Sequence, residues 1–152
     1  MDIKADIIHT WTQNGKVTLY LLNNIEKDWL STKQHDSGRS IGEQFVHINN
    51  IRSFWISKVG KKNDLKINKK YANNKSQLIE ALQESSHKMS DTLYSLFEQG
   101  IIKGYRPHPT AFFAQMIAHE SHHGGQIMSI ITRNNLKINK SVNFGLWNWN
   151  NK

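Results

Sequence analysis

Cysteine is absent from the 152 residues and proline occurs only twice. Without a thiol there is no disulfide framework, no thiolate zinc finger and no cysteine nucleophile, so any metal ion must be held by histidine or carboxylate. Long apolar runs are missing as well. None approaches the ~20 residues needed to cross a bilayer, and the opening Met1-Asp2-Ile3-Lys4-Ala5-Asp6 is charged where a secretory leader would be apolar. The expectation is a soluble, cytoplasmic chain. With 38% apolar residues it can bury a core, and no repeat or shift in composition divides it, so residues 1–152 read as one domain.

Acidic residues are the scarcer sign, 12 Asp+Glu against 20 Lys+Arg, which leaves a formal charge of +8. Such an excess points to nucleic acid when the cations line one face. Here Lys58, Lys61, Lys62, Lys66, Lys69, Lys70 and Lys75 crowd one stretch with a single acid, Asp64, among Gly60, Asn63, Asn68, Asn73 and Asn74. A like-charge block of this kind reads as a solvated connector between helices, and nucleic acid is not expected as a partner.

What is present is helical periodicity. A first helix is predicted over about Gly15 to Leu30, with Leu22, Ile25 and Trp29 at three- and four-residue steps and Leu19, Leu21 and Leu30 widening the face. His35-Asp36-Ser37-Gly38 breaks it. A second starts near Ser40, which has capping-box spacing to Glu43, and carries Ile41, Phe45, Ile48, Ile51, Phe54 and Trp55. The third runs from about Ser76 to Gly100 with Leu78, Leu82, Met89, Leu93, Leu96 and Phe97 inside. The fourth follows Pro107-His108-Pro109, with Thr110 as candidate cap, and continues through Phe112, Met116, Ile127 and Ile130 to about Arg133. Four such stretches without an alternating strand predict an all-α, up-down four-helix bundle. The ending Phe144-Gly145-Leu146-Trp147-Asn148-Trp149 is too aromatic for a free tail and is expected to pack on the bundle.

The segment that carries chemistry is His119-Glu120-Ser121-His122-His123-Gly124-Gly125-Gln126. His119 and His123 stand four apart, which stacks two imidazoles on one side of a helix, in register with Phe112, Met116, Ile127 and Ile130. An imidazole pair facing a core must be satisfied, since an unpaired buried polar group costs on the order of 1–3 kcal/mol. A metal ion satisfies both at once; separate hydrogen bonds to buried carbonyls are the alternative. The run also matches H-E-x-x-H, but no acid follows Glu120 and no histidine follows His123, so a zinc protease lacks its third ligand.

A third ligand must then come from upstream. His47 is best placed, at the edge of the second helix's apolar stripe with Ile51 and Phe54 at plus four and plus seven. His87 shares an exposed row with Glu80, Glu84 and Asp91, His35 and His108 fall in loops, His9 lies in an N-terminal segment without a clear pattern, and His122 belongs to a polar row with Gln115 and Gln126. Three imidazoles leave a coordination position open, the arrangement of a catalytic site. Glu120, ~100° round the helix from His119, is a candidate orienting group or base behind the ligands, or else a solvated carboxylate. Gly124-Gly125 breaks a local rule, because each glycine in a helix costs ~1 kcal/mol against alanine. Either a neighbour packs closely there or the gap admits a ligand to the metal.

His47 in Phe45-Val46-His47-Ile48, the run His119 to Gln126 and the late Gly145-Leu146-Trp147 resemble the DinB-like (YfiT-type) metal-binding four-helix bundle family. The resemblance extends over nearly the whole chain in length, helix order and histidine placement. It implies a divalent ion, Zn²⁺ or Ni²⁺, on His47, His119 and His123, commonly in a homodimer. Members with an assigned reaction are thiol-dependent S-transferases using bacillithiol or mycothiol, or related isomerases, so the resemblance implies activation of a low-molecular-weight thiol. A hydrolase-like use of bound water, a non-catalytic metal-binding or stress-response module, and a basic DNA-associated protein are the other readings, in falling order.

Overall fold

The computed structural model describes residues 2–105 and 108–151. Among them are five α-helices and no strand, with one isolated antiparallel bridge between Lys33 and Ser40. Helix α1 spans Ile3–Asn23, α2 Ile41–Val59, α3 Lys75–Gln99, α4 Pro109–Arg133 and α5 Lys140–Trp147, and short 3₁₀ turns occupy Lys27–Ser31, Lys69–Tyr71 and Trp149–Asn151.

Both ends of α1 differ from the apolar pattern. It begins twelve residues before Gly15, capped by Asp2, whose carboxylate accepts from the amides of Lys4 and Ala5. Its buried face reads Ile7, Trp11, Asn14, Gly15, Thr18, Leu21 and Leu22, and the polar members interrupt the stripe. At the other end the Asn24 side-chain amide donates to the Tyr20 carbonyl at 2.9 Å, competing with another helical turn. Ile25 therefore reaches the core from the bend after α1, and Leu30 from the 3₁₀ turn Lys27–Ser31, not along the helix expected to Leu30.

The other boundaries follow local chemistry. At α2 the Glu43 amide donates to Ser40 Oγ at 3.2 Å and the Ser40 amide to Glu43 Oε2 at 2.8 Å, a closed capping box. Gly100 ends α3 at φ +69°, where a side chain would be strained, and its amide donates to the Leu96 carbonyl. For α4 the first residue is Pro109 and the cap position is His108, so Thr110 lies inside the helix instead of capping it. Pro107 lies outside the described residues.

Helices α1 to α4 pack on one another and bury two apolar clusters. One gathers Leu22, Phe45, Leu82 and Ile127, the other Trp11, Met89, Phe112 and Met116. Each fully buried side chain of this size contributes ~1.5–3 kcal/mol. Arg52 bridges the two clusters, with its guanidinium 5.2 Å from the Trp11 ring and Nη1 donating to the Leu82 carbonyl at 2.8 Å.

The lysine-rich connector between α2 and α3 is exposed at six of its seven lysines, yet its backbone is pinned. Asn49 and Asn50 donate from α2 to the carbonyls of Leu65 and Ile67 at 2.8 and 2.9 Å, and Asn63 bonds back to Ser53 and Ser57. Helix α5 lies against α1 through Val142, Leu146 and Gly145, where an added Cβ would run into the Tyr20 ring. Phe144 and Trp147 are 71% and 82% exposed, so aliphatic residues rather than these two aromatics hold α5 in place. No helix among the described residues is long and apolar enough to cross a membrane.

Candidate metal centre

Facing turns of α2 and α4 bring three imidazoles together. His47 comes from the middle of α2, and His119 and His123 from successive turns of α4. Ring centroids are 4.5 Å apart for His47 and His123, 4.5 Å for His119 and His123, and 5.3 Å for His47 and His119. One nitrogen from each ring falls within a set whose members all lie within 4.8 Å of one another. His123 is buried, while His47 and His119 are half-buried and leave the cluster open on one side.

Burial makes all three rings poor bases. Desolvation, followed by the Arg39 cation and by His119, lowers His47 from the ordinary 6.5 to about 4. Desolvation, followed by His119 and His47, does the same for His123, also to about 4. His119 is lowered chiefly by desolvation, against an opposing pull from the Glu120 carboxylate. Neutral imidazoles at pH 7 keep a lone pair available.

The tautomer of His123 follows from its neighbours. Its Nδ1 lies 2.7 Å from Gln44 Oε1 and 2.9 Å from Gln126 Oε1, and two amide oxygens can be satisfied only if that nitrogen carries the proton. The lone pair is then on Nε2, on the side of His47 and His119.

His47 Nε2 and His119 Nε2 face each other at 3.4 Å, long for a hydrogen bond, and the buried His119 Nδ1 has no partner among the described residues. At a Zn–N distance of about 2.0–2.1 Å, two tetrahedral ligand nitrogens stand roughly 3.3–3.4 Å apart, so this spacing matches one edge of a coordination shell. Nitrogen-only donors suit Zn²⁺, Ni²⁺ and neighbouring transition ions far better than Ca²⁺ or Mg²⁺. The residues fit a divalent transition metal.

Residues 10–127 match the family model described as the DinB superfamily, a span that contains all three histidines. The chain belongs to the DinB superfamily. No curated protein and no solved structure matches it.

Behind the imidazoles, this DinB chain buries a charged network. Glu120 is 3% exposed and Arg52 1%. The guanidinium grips the carboxylate with both prongs, Nε to Oε1 at 2.6 Å and Nη2 to Oε2 at 2.7 Å. Asn14 and Thr18 of α1 add donors to Oε2 at 2.7 and 3.2 Å, and Arg52 Nη1 reaches Ser85 Oγ of α3 at 3.3 Å. A solvated Glu120 is thereby ruled out. The network ties all four long helices together one residue away from a candidate ligand.

Gln44, Gln126 and Arg52 were not apparent as site residues from periodicity alone. Gln44 precedes His47 by three and Gln126 follows His123 by three, a helical step that places each amide on its histidine's side. That symmetric spacing, Gln-x-x-His and His-x-x-Gln, is the signal that could have found the pair. None of the remaining histidines joins the cluster, although the His122 ring lies 5.2 Å from that of His123. His9, on α1, and His35, His87 and His108 are exposed, and His122, also exposed, accepts from the Gln126 amide at 3.0 Å. Gly124 and Gly125 face neither possibility drawn from the sequence: among the described residues nothing beyond the helix's own turn lies within 4 Å of a Cβ placed at either, and the space beside them adjoins Glu120 and α1, with none of the three imidazoles in its lining.

Proposed function

We propose that this DinB protein holds a divalent ion, zinc or nickel, on His47, His119 and His123 and works as a metal-dependent enzyme on a low-molecular-weight thiol or on water. The observation that carries the reading is the convergence of three neutral imidazoles at a point half-open to solvent. A closed structural site would be buried on every side and filled by four protein ligands. When bound, the ion supplies Lewis acidity that lowers the pKa of a thiol or water and delivers a nucleophile near neutral pH. The chain's own residues supply order. Gln44 and Gln126 hold the His123 ring and its tautomer, and the Arg52–Glu120 pair fixes α4 against α1, α2 and α3. Glu120 is buried and held by Arg52, Asn14 and Thr18, so its part is to orient α4. The same reading has the chain act in the cytoplasm as a homodimer of up-down four-helix bundles with the C-terminal segment folded back, as the family resemblance implies.

Elemental analysis and a thiol-transfer screen test it. Purified protein is expected to carry about one transition-metal ion per chain, and His119→Ala and His47→Ala to lose it together with metal-dependent consumption of bacillithiol or mycothiol by an alkylating electrophile. Less than about half an ion per wild-type chain would remove the metal centre. A full complement that does not exchange, with no turnover of thiol or ester substrates, would favour the non-catalytic metal-binding module.

A further inference from the structure

The other side of α4 holds a second cavity, and the glycine pair makes it. Gly124 and Gly125 weaken the helix at two successive positions, yet among the described residues nothing beyond the helix's own turn comes within 4 Å of where either Cβ would stand. Close packing therefore does not explain them. The space they leave belongs to a cavity of about 350 Å³, within the range of small-molecule pockets.

Its lining is chemically two-ended. Val17 and Leu21 of α1, Met128 of α4, and Leu146, Trp147 and Trp149 of the C-terminal segment supply apolar walls, two of them indole rings. The inner end is polar, with Asn14, Thr18 and Glu120. Among the described residues Glu120 Oε2 accepts from Arg52, Asn14 and Thr18, whereas Oε1 accepts from Arg52 Nε alone and retains an unused lone pair. A carboxylate oxygen accepts and does not donate, so the inner end takes a hydrogen-bond donor and offers nothing to a second carboxylate. None of the three imidazoles lines this space, so the site is separate from the metal centre.

We propose that this cavity binds a small, flat, uncharged molecule, apolar over most of its surface and bearing one hydroxyl or N–H donor, of the phenol or indole class. The flat body lies between the tryptophans and the Gly124-Gly125 backbone, and the donor meets Glu120. The glycines are kept for the room they leave, at the expense of helix strength.

Binding of 2-naphthol to the full chain, followed by calorimetry and by the Trp147 and Trp149 indole N–H resonances, tests the assignment. Saturable one-to-one binding that shifts both resonances is expected, with 1-naphthoate much weaker. Gly124→Leu should weaken 2-naphthol about tenfold or more while melting no lower than wild type, because leucine is the better helix former, its Cβ has open space and the rest of its side chain fills the cavity. Metal content should not change in that variant, and 2-naphthol should still bind His119→Ala, which separates failure here from failure of the metal reading. Absence of saturable binding up to the probe's solubility, equal affinity in Gly124→Leu, or loss of binding in His119→Ala would each overturn the proposal. So would a lower melting temperature in Gly124→Ala, which would show that the glycine serves backbone packing.

Discussion

The two sides of helix α4 solve opposite problems within the same seven residues of chain, His119 to Gly125. Toward α2, His119 and His123 crowd three imidazoles until two nitrogens stand 3.4 Å apart. Toward α1 and α5, Gly124 and Gly125 strip the helix of side chains and leave a cavity of about 350 Å³. Between them, Glu120 is buried and clamped by Arg52. The difference teaches that the charged pair is what allows both sides to be unfavourable locally. A helix loaded with desolvated imidazoles on one flank and weakened by glycines on the other needs an anchor, and the Arg52–Glu120 pair connects it to α1, α2 and α3 through named hydrogen bonds.

The sharpest way to break the comparison is to remove that anchor. Arg52→Ala leaves Glu120 as an uncompensated buried carboxylate, and loss of one partner from such a pair destabilises by about 3–5 kcal/mol. Urea unfolding should show a loss of that size, with the indole resonances of the cavity side and the metal occupancy of the imidazole side disturbed together. The double change Arg52→Met with Glu120→Leu should lose less than Arg52→Ala, since no buried charge remains. Equal losses in the two proteins would mean that the pair is not the link between the flanks.

A smaller effect separates the flanks. Gln44 touches His123 Nδ1 and nothing on the cavity side. Gln44→Leu removes one of two acceptors that orient the ring, and such changes around metal ligands typically lower affinity about 10–100-fold. With Gln126 still in place at 2.9 Å, the low end is expected, read by competition with a chelating dye, while thermal stability of the metal-free protein stays close to wild type. An unchanged affinity would show that Gln126 alone sets the tautomer.

How much of this was legible in the sequence divides along the same line. The imidazole flank could be read because a four-residue step between His119 and His123 has one geometric meaning on a helix, and the position of His47 on the edge of an apolar stripe narrows the third ligand. The cavity flank could not be read in this way, because glycine carries no direction and the walls are gathered from α1, α2, α4 and residues after Asn139. The start of α1 was hidden for a related reason. Asn14 and Thr18 sit at buried positions where the helical pattern calls for apolar residues, and they are polar because Glu120 needs donors there. The aromatic ending misled in detail, since Val142 and Leu146 make the contact while Trp147 faces solvent.

Acid should bear on the imidazole flank alone, with the smallest effect of the three near neutrality. In the metal-free fold His47 and His123 hold pKa values of about 4, below the 6.5 of an unfolded imidazole, owing first to burial and then to their cationic and imidazole neighbours. Between these limits the unfolded chain binds more protons than the folded one, so stability rises with pH and falls as pH drops. The neutral-ring contribution is fully present above 6.5 and is lost progressively from there down to about 4. At His119 the Arg39 and Arg52 cations press in the same direction and the Glu120 carboxylate opposes them, and at His123 the hydrogen bond to Gln126 opposes the shift. The expected result for metal-free protein is a urea midpoint that declines slightly from pH 7 to pH 6 and more steeply below, with a shallower decline in His47→Gln, which keeps a polar side chain but cannot titrate. A midpoint that held steady to pH 5 would mean that the rings take up protons as readily in the fold as outside it, and the crowding at 3.4 Å would then have to be relieved by movement of α2 away from α4.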